Sequence, residues 1–229
     1  MVKSRKLTAF IAVWIVSFLF SCKIYAQEES TGYYVEEPRI FYGGLVAGAN
    51  FCQVDGDYYA GYHKIGANFG GIVYAQLKKH IALSMEILYS EKGSKSNYVR
   101  VLAASPALAI LKYGINTNYA EIPVMLNYFD KRKSHFGVGL SYSQLVGSTE
   151  TIQTDPPGQL PIDLSKYPFK KSDINVLAGA QLHLVKGLFL NVRFQYSVVP
   201  FRTNIPPDPY ARSSQYQNLW VVRFMYLFI

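Results

Sequence analysis

Residues 81–90 read IALSMEILYS, and their side chains alternate between two chemical characters. The odd positions, from Ile81 to Tyr89, are all apolar, whereas the even positions include Ser84, Glu86 and Ser90. Successive side chains of a β-strand point to opposite faces, so a period of two predicts a strand with one apolar face.

The same period recurs in seven other segments. Short connections near residues 78–79, 130–134 and 186–187 alternate with long ones at 52–62, 93–118, 148–171 and 200–216. We therefore predict an all-β fold, an eight-stranded antiparallel up-and-down barrel. Pro123 cannot donate a ladder hydrogen bond, so we expect a bulge or irregularity there. The other alternating segments lie at 41–51, 64–73, 120–128, 136–143, 173–184, 188–196 and 219–228.

The composition narrows the class of protein. Of 229 residues, 15% are aromatic and only 17% are charged, below the roughly 25% charged of an ordinary soluble domain. A disordered chain would be richer in charge and poorer in aromatic residues. The many aromatic, β-branched and glycine residues also argue against a soluble helical protein.

The N-terminus carries an export signal. Lys3, Arg5 and Lys6 precede an apolar run at 7–20, which is too short for a spanning helix. We expect cleavage after Ala26, so that 1–26 is a signal peptide, 27–40 an N-terminal periplasmic segment and 41–229 the barrel. In an alternative, residues 19–22 act as a lipobox and Cys22 is lipidated.

Cleavage also changes the charge and the thiol content. Loss of the four basic residues of the leader lowers the net charge from +8 to +4, which is too mild to predict a nucleic acid partner. Cys52 remains as the single cysteine of the mature chain, so no internal disulfide is expected.

Alternation alone does not say whether the apolar face points to a core or to lipid. A soluble barrel turns it inward, and a membrane barrel turns it outward. The export signal, the alternation of short turns with long loops, and a last strand ending in Phe224, Tyr226 and Phe228 favour a transmembrane barrel. We therefore predict the outer membrane of a Gram-negative-type cell, with outer-membrane lipids as partners, a periplasmic N-terminus and extracellular long loops.

Three short motifs carry a resemblance to a known family. They are Gly43-Gly44 followed by 49–51 (ANF), residues 86–93 (EILYSEKG) and residues 119–123 (YAEIP). With these motifs, residues 41–229 resemble the PorT-like outer-membrane β-barrel proteins, small barrels similar in build to OmpX. The chain departs from the pattern in ending on Ile229 rather than on an aromatic residue. The resemblance implies a fold and a location in the outer membrane, but no agreed activity.

Four charged residues are predicted to face the lumen at similar height: Glu86, Glu121, Arg193 and Arg223. Buried charges need partners, and an eight-stranded lumen is narrow enough for side chains to fill. We expect the two carboxylates to face the two guanidinium groups. Such a network is either a static plug or a gated ion pair that lets small ions pass.

The histidines and tyrosines do not form a recognisable catalytic, metal or cofactor site. His80, His135 and His183 fall near short turns and His63 near the other rim, and none has an evident Ser and acid at matching height. We interpret them as exposed or interfacial, and we expect no catalytic, metal or cofactor site. Outward tyrosines near the predicted rims fit an aromatic girdle: Tyr89, Tyr142, Tyr196, Tyr128 and Tyr226.

The connection at 93–118 is too long and apolar for a plain loop. β-Branched and aromatic residues at 98–102 and 108–113 flank Ser105-Pro106, which predicts a protruding hairpin turning near that dipeptide. Its edge could pair with a strand of another envelope or secretion protein. The alternative is a short helix across the barrel mouth. The candidate partner-binding residues are Tyr98, Val101, Pro106, Ile110 and Tyr113.

The sequence thus predicts a non-enzymatic barrel with a structural, adhesive or export-assembly role at the surface. A narrow channel for ions or very small solutes is the alternative, and a lipid-modifying barrel enzyme comes third.

Overall fold

The computed structural model describes residues 40–229 except 60, 97, 103–104, 131–133, 159–162, 207–211 and 229. The expected signal peptide, the Cys22 alternative and residues 27–39 of the expected periplasmic segment lie outside the described residues. No helix in the described part of the chain is long and apolar enough to cross a membrane.

In the described residues, nine β-strands make up almost all of the regular structure, with one short 3₁₀-helix at Leu164–Lys166. The strands are β1 Phe41–Asp55, β2 Lys64–Lys78, β3 Ile81–Ser96, β4 Arg100–Leu102, β5 Ser105–Phe129, β6 His135–Asp155, β7 Ser172–Val185, β8 Leu188–Ser197 and β9 Tyr216–Leu227.

The strands close into a ring of eight. Every pairing is antiparallel, each long strand pairs with its sequence neighbour, and β1 pairs with β9. β3 pairs directly with β5, and the three-residue β4 continues beside the far end of β5. The predicted eight-stranded antiparallel up-and-down barrel is confirmed, with β4 as a short addition.

The two faces of the barrel wall are inverted relative to a soluble protein. Ile87 and Phe136 are 67% and 60% exposed on the outside, whereas Glu86 and Arg193 inside are 2% and 1% exposed. A soluble barrel would bury the apolar set and expose the charged one. The apolar face is therefore the one that would meet lipid.

The two ends of the barrel differ. At the short-turn end, strands are joined near residues 79–80, 130–134 and 186–187, and at the long-loop end by segments 56–63, 97–104, 156–171 and 198–215. β5 and β6 reach far towards the long-loop end, with 25 and 21 residues. The wall is thus taller on this side of the barrel.

The predicted loop boundary was wrong for the long connection at 148–171, whereas 93–118 was expected to contain the strands of a hairpin. Much of 93–118 and of 148–171 is strand, and residues 112–118 pair with 147–153. Beyond the apolar belt the outward face becomes polar, so the alternation that marks a strand fades there. The Thr-rich run at 149–154 still favours extended backbone.

Pro123 causes no bulge. The β3–β5 register is the same on both sides of it, with Met85 opposite Val124 and Leu88 opposite Glu121, and only the intervening pairs are missing. The expected irregularity is present as this gap in the ladder, and the register of β5 with β6 shifts elsewhere, between Ile110 and Lys112 and between Asn118 and Tyr119. The ladder therefore accommodates the lost donor of Pro123 without moving the chain.

Candidate functional site: the filled lumen and the long-loop end

A three-residue ion cluster lies in the middle of the lumen. The Glu86 carboxylate on β3 accepts from Arg193 Nη2 at 2.5 Å and from Arg223 Nη2 at 2.7 Å. All three side chains are 1% exposed. Two guanidinium groups, one from β8 and one from β9, therefore share one buried carboxylate of β3 across the lumen.

Polar neighbours complete the coordination of Arg223. Its Nε donates to Asn191 Oδ1 at 2.9 Å, and its Nη1 donates to Asn68 Oδ1 at 3.1 Å. A buried guanidinium is tolerated when its donors are satisfied in this way. The arrangement holds the side chain rigidly across the lumen.

Glu121 forms a second buried pair, but not with an arginine. Its Oε2 lies 3.2 Å from Lys92 Nζ, and Gln195 donates to its Oε1 at 2.7 Å. Lys92 also donates to Ser143 Oγ at 3.3 Å and lies over the Tyr119 ring. The expectation that both carboxylates face arginines was therefore wrong for Glu121.

Sequence reasoning missed Lys92, although a signal was present. Lys92 has the same parity along β3 as Glu86 and Ser90, and all three side chains point into the lumen. Extending the period of two by one further step past Ser90 would have found it.

The short-turn end of the lumen is filled by an apolar cluster. It is built from buried residues of five strands, β1, β2, β3, β8 and β9. Its members are Val46, Ile72, Tyr74, Ala82, Leu88, Phe189, Met225 and Leu227, with Tyr42 and Phe129 against them.

His135 belongs to this end, which corrects its interpretation as exposed or interfacial. It is 3% exposed, its Nε2 lies 2.8 Å from the Tyr74 hydroxyl, and its ring stacks on Phe129 at 4.1 Å between centroids. Its position at the start of β6 places it inside because its neighbour Phe136 takes the outward face. His80 and His183 instead lie at the turns and bond to the backbone carbonyls of Phe129 and Lys186.

A second apolar cluster closes the long-loop end. Tyr59 stacks on Tyr113 at 4.6 Å between ring centroids, and both are buried. This cluster joins three connecting segments to the tall part of the wall. Its buried members are Tyr59, Leu102, Leu108, Ile110, Tyr113, Ile115 and Ile205.

Arg202 ties the remaining loops to this end. Its Nε donates to the Tyr167 carbonyl at 2.7 Å, its Nη1 lies 2.9 Å from the Glu150 carboxylate, and its guanidinium covers the Phe169 ring. One buried cation thus connects the 156–171 segment, the 198–215 segment and β6. The long loops form a packed layer rather than separate arms.

The hairpin at 93–118 is present, and its turn lies slightly earlier than expected. Leu102 pairs with Ser105, and both Ser105 and Pro106 already belong to β5, so the reversal precedes that dipeptide. Arg100 pairs with Ile110, which places β4 in line with β3 along the same side of β5. The alternative of a helix across the mouth does not hold for the described residues of this segment, which are extended.

The five candidate partner-binding residues divide into two groups. Tyr98 and Val101 are 69% and 58% exposed, whereas Ile110 and Tyr113 are buried in the long-loop cluster. Pro106 lies within β5, and its side chain is outside the described part of the structure. Ile110 and Tyr113 therefore hold the hairpin to the barrel, and of the five candidates Tyr98 and Val101 present an exposed surface.

The fold and this interior define a class: a small membrane β-barrel with a lumen filled by paired charges and an apolar cluster at each end. Residues 25–201 match the family described as outer membrane protein beta-barrel domain. The chain belongs to this family, and the outer membrane is its location.

Comparisons with solved structures give distant similarities. Ail, the attachment invasion locus protein of Yersinia pestis, is 10% identical with a TM-score of 0.43, covering 82% of this chain and 98% of Ail. The outer membrane protein AlkL in lipid bilayers is 14% identical with a TM-score of 0.37, covering 87% of this chain and 97% of AlkL. No curated protein matches the sequence.

Proposed function

We propose that this protein is a non-enzymatic, non-conducting barrel that acts through its long-loop end, in adhesion, envelope integrity or an export assembly. The observation that carries the proposal is the Glu86–Arg193–Arg223 cluster, which lies between two apolar clusters along the lumen. A solute would have to separate buried ion pairs and then displace packed aromatic rings.

The orientation follows from the build of outer-membrane barrels. Their short turns face the periplasm and their long loops face the outside. The expected export signal places the N-terminus on the periplasmic side, and β1 begins at the short-turn end. The taller wall of β3, β5 and β6 then rises above the cell surface.

The hairpin supports an interactive role. β4 has one sheet neighbour among the described strands, which is β5, and exposed Tyr98, Val99 and Val101 lie at or just before it. An edge strand is a ready template for an extended segment of another protein. Among the proposed roles, a partner protein that adds a strand here fits a part in an export assembly best.

The non-enzymatic assignment is supported by the bonding of the histidines. His135 lies in an apolar cluster beside Tyr74, and His80 and His183 bond to carbonyl oxygens at the turns. These contacts hold the rings in structural positions. Hydrolysis of lipid by the purified protein would overturn this part of the proposal.

A narrow channel remains the second candidate because of a specific feature of the upper lumen. Asp173 Oδ1 and Gln217 Oε1 are buried polar atoms with no hydrogen-bond partner in the described structure. Buried polar groups of this kind are commonly satisfied by water. A connected file of such waters would carry small ions if the two apolar clusters opened.

Planar-bilayer recording separates the two functions. We expect no discrete conductance from the wild-type barrel, and none from the matched outer-face variant Ile87→Ala. Stepwise current from the wild type at neutral pH would contradict the non-conducting barrel and favour the channel.

The interactive role is tested in intact cells with a photo-crosslinking amino acid at Val99. We expect a defined adduct from Val99 that weakens when Val101→Lys is added, and none from a probe at the exposed Lys166 in another loop. Equal adducts from both positions would show random collision and contradict the edge-strand proposal.

A further inference from the structure

The outer wall carries a basic groove just beyond the apolar belt. The groove has a volume of about 410 Å³ and runs along β3, β5 and β6. Lys95, Lys112, Thr149 and Thr151 of its lining are exposed on the outward face, while Ser94, Tyr113 and Ile115 are buried beneath them. None of the described residues that line it is acidic. Its polar lining includes Lys64, Lys95, Lys112, Asn116, Thr149 and Thr151.

We propose that this groove binds the phosphorylated saccharide headgroup of a glycolipid in the outer leaflet. The inference rests on the proposed orientation, in which the long-loop end faces outside. Lysine ammonium groups bind phosphate as compact point charges, and Thr and Asn side chains bond to sugar hydroxyls.

The height of the groove selects this ligand over an ordinary phospholipid headgroup. Phe69 and Tyr89 mark the outer edge of the aromatic belt, with ring centroids 5.2 Å apart, and Tyr89 pairs with Ala120. Lys95 lies six residues beyond Tyr89. At ~3.3 Å per residue and a tilt of ~40°, it stands about 15 Å above the belt.

A phospholipid headgroup layer is only about 5–8 Å thick, so it would end below Lys95. The lower lining residues, Asn116 and Thr149, are about 10 Å above the belt by the same reckoning. A headgroup that spans from the lower to the upper lining must carry sugars as well as phosphate.

The three lysines of the groove differ in whether a nearby carboxylate neutralises their charge. Lys64 Nζ lies 2.5 Å from the Glu91 carboxylate, which also accepts from the Ala67 N–H. The charge of Lys64 is thus neutralised locally. Lys95 and Lys112, both exposed, supply the positive charge that an anionic headgroup would meet.

The test uses the full barrel in phosphatidylcholine nanodiscs, with purified lipopolysaccharide lacking its O-chain as the probe. We expect Lys95→Gln/Lys112→Gln to weaken binding about 25-fold, since each lysine near an anionic surface contributes about five-fold. The matched control, Lys78→Gln/Lys79→Gln, removes the same charge at the short-turn end and should bind like the wild type. Equal loss in both variants would overturn the groove.

Two further arms identify the source of the phosphate. Dephosphorylated lipopolysaccharide should bind wild type and groove variant equally weakly, and millimolar inorganic phosphate should not displace the lipid. Displacement by inorganic phosphate would overturn the glycolipid assignment in favour of a free anion site. The same samples are also tested for conductance. A non-conducting barrel whose groove variant binds lipopolysaccharide as well as the wild type would refute only the groove. A conducting barrel whose groove variant binds it more weakly would refute only the proposed function.

Discussion

Arg223 and Glu86 are 137 positions apart in the sequence, and the Arg223 Nη2 lies 2.7 Å from the Glu86 Oε2 in the centre of the lumen. β9 and β3 are separated in the ring by β1 and β2, so this contact crosses the barrel interior. The pair braces strands that share no hydrogen-bonded ladder. Removing this ion pair therefore tests both the predicted heights of the inward side chains and the packing of the lumen.

Glu86→Gln should destabilise the barrel by about 3 kcal/mol, because two buried guanidinium groups would lose their shared carboxylate. Adding Arg223→Gln should recover part of that loss. Urea unfolding of the protein in lipid vesicles measures both changes. Asp163→Asn, in an exposed loop, is the control and should have little effect. Additive losses in the double variant would show that Glu86 and Arg223 do not interact.

The unboiled and boiled proteins should migrate differently on a denaturing gel. A closed ring leaves no free sheet edge through the membrane and satisfies its backbone groups internally, so detergent alone should not unfold it. A band-shift assay at increasing temperature measures the transition. Identical mobility at every temperature would contradict ring closure between β1 and β9.

The hairpin should be protected from amide exchange on both sides of its turn. Arg100 pairs with Ile110, and the buried Ile110 and Tyr113 anchor the segment to the long-loop cluster. Exchange measured on the folded protein should show slow amides in β4 and in residues 107–113. Tyr113→Ala should speed exchange at both sites by removing the stack on Tyr59. Fast exchange throughout 98–112 in the wild type would contradict the hairpin.

Packing of the long-loop end should weaken as pH rises from about 4 to 7. Burial raises the pKa of Asp57 from its ordinary value to about 7, with the charge of Asp55 adding to the effect and the Tyr59 N–H bond opposing it. Between these two pKa values the folded state keeps the Asp57 proton, whereas the unfolded segment releases it. The stabilisation is therefore complete below pH ~4 and is lost as the pH rises through the folded-state pKa of about 7.

Amide exchange of the Tyr59 segment between pH 4 and 8, corrected for the intrinsic rate, measures this dependence. Asp57→Asn mimics the protonated form and should keep the low-pH protection at pH 8. An unchanged pH profile in that variant would assign the dependence to another group.

Several features could be predicted from the sequence because they are local. The period of two over residues such as Ile81–Tyr89 specifies a strand and divides its side chains between two faces. The division also identified Glu86, Arg193 and Arg223 as members of the same interior. Turn residues at the short connections then set the order of strands, since antiparallel neighbours need only a few linking residues.

Other features depended on contacts between distant parts of the chain. Glu121 meets Lys92 rather than an arginine, although the ladder between β3 and β5 places Leu88, not Lys92, opposite Glu121. His135 is buried because the lumen narrows onto Phe129 and Tyr74 at that end. The local sequence determined which face each side chain takes, while closure of the ring determined its partners, because a lumen contact joins residues across the barrel that no local pattern relates.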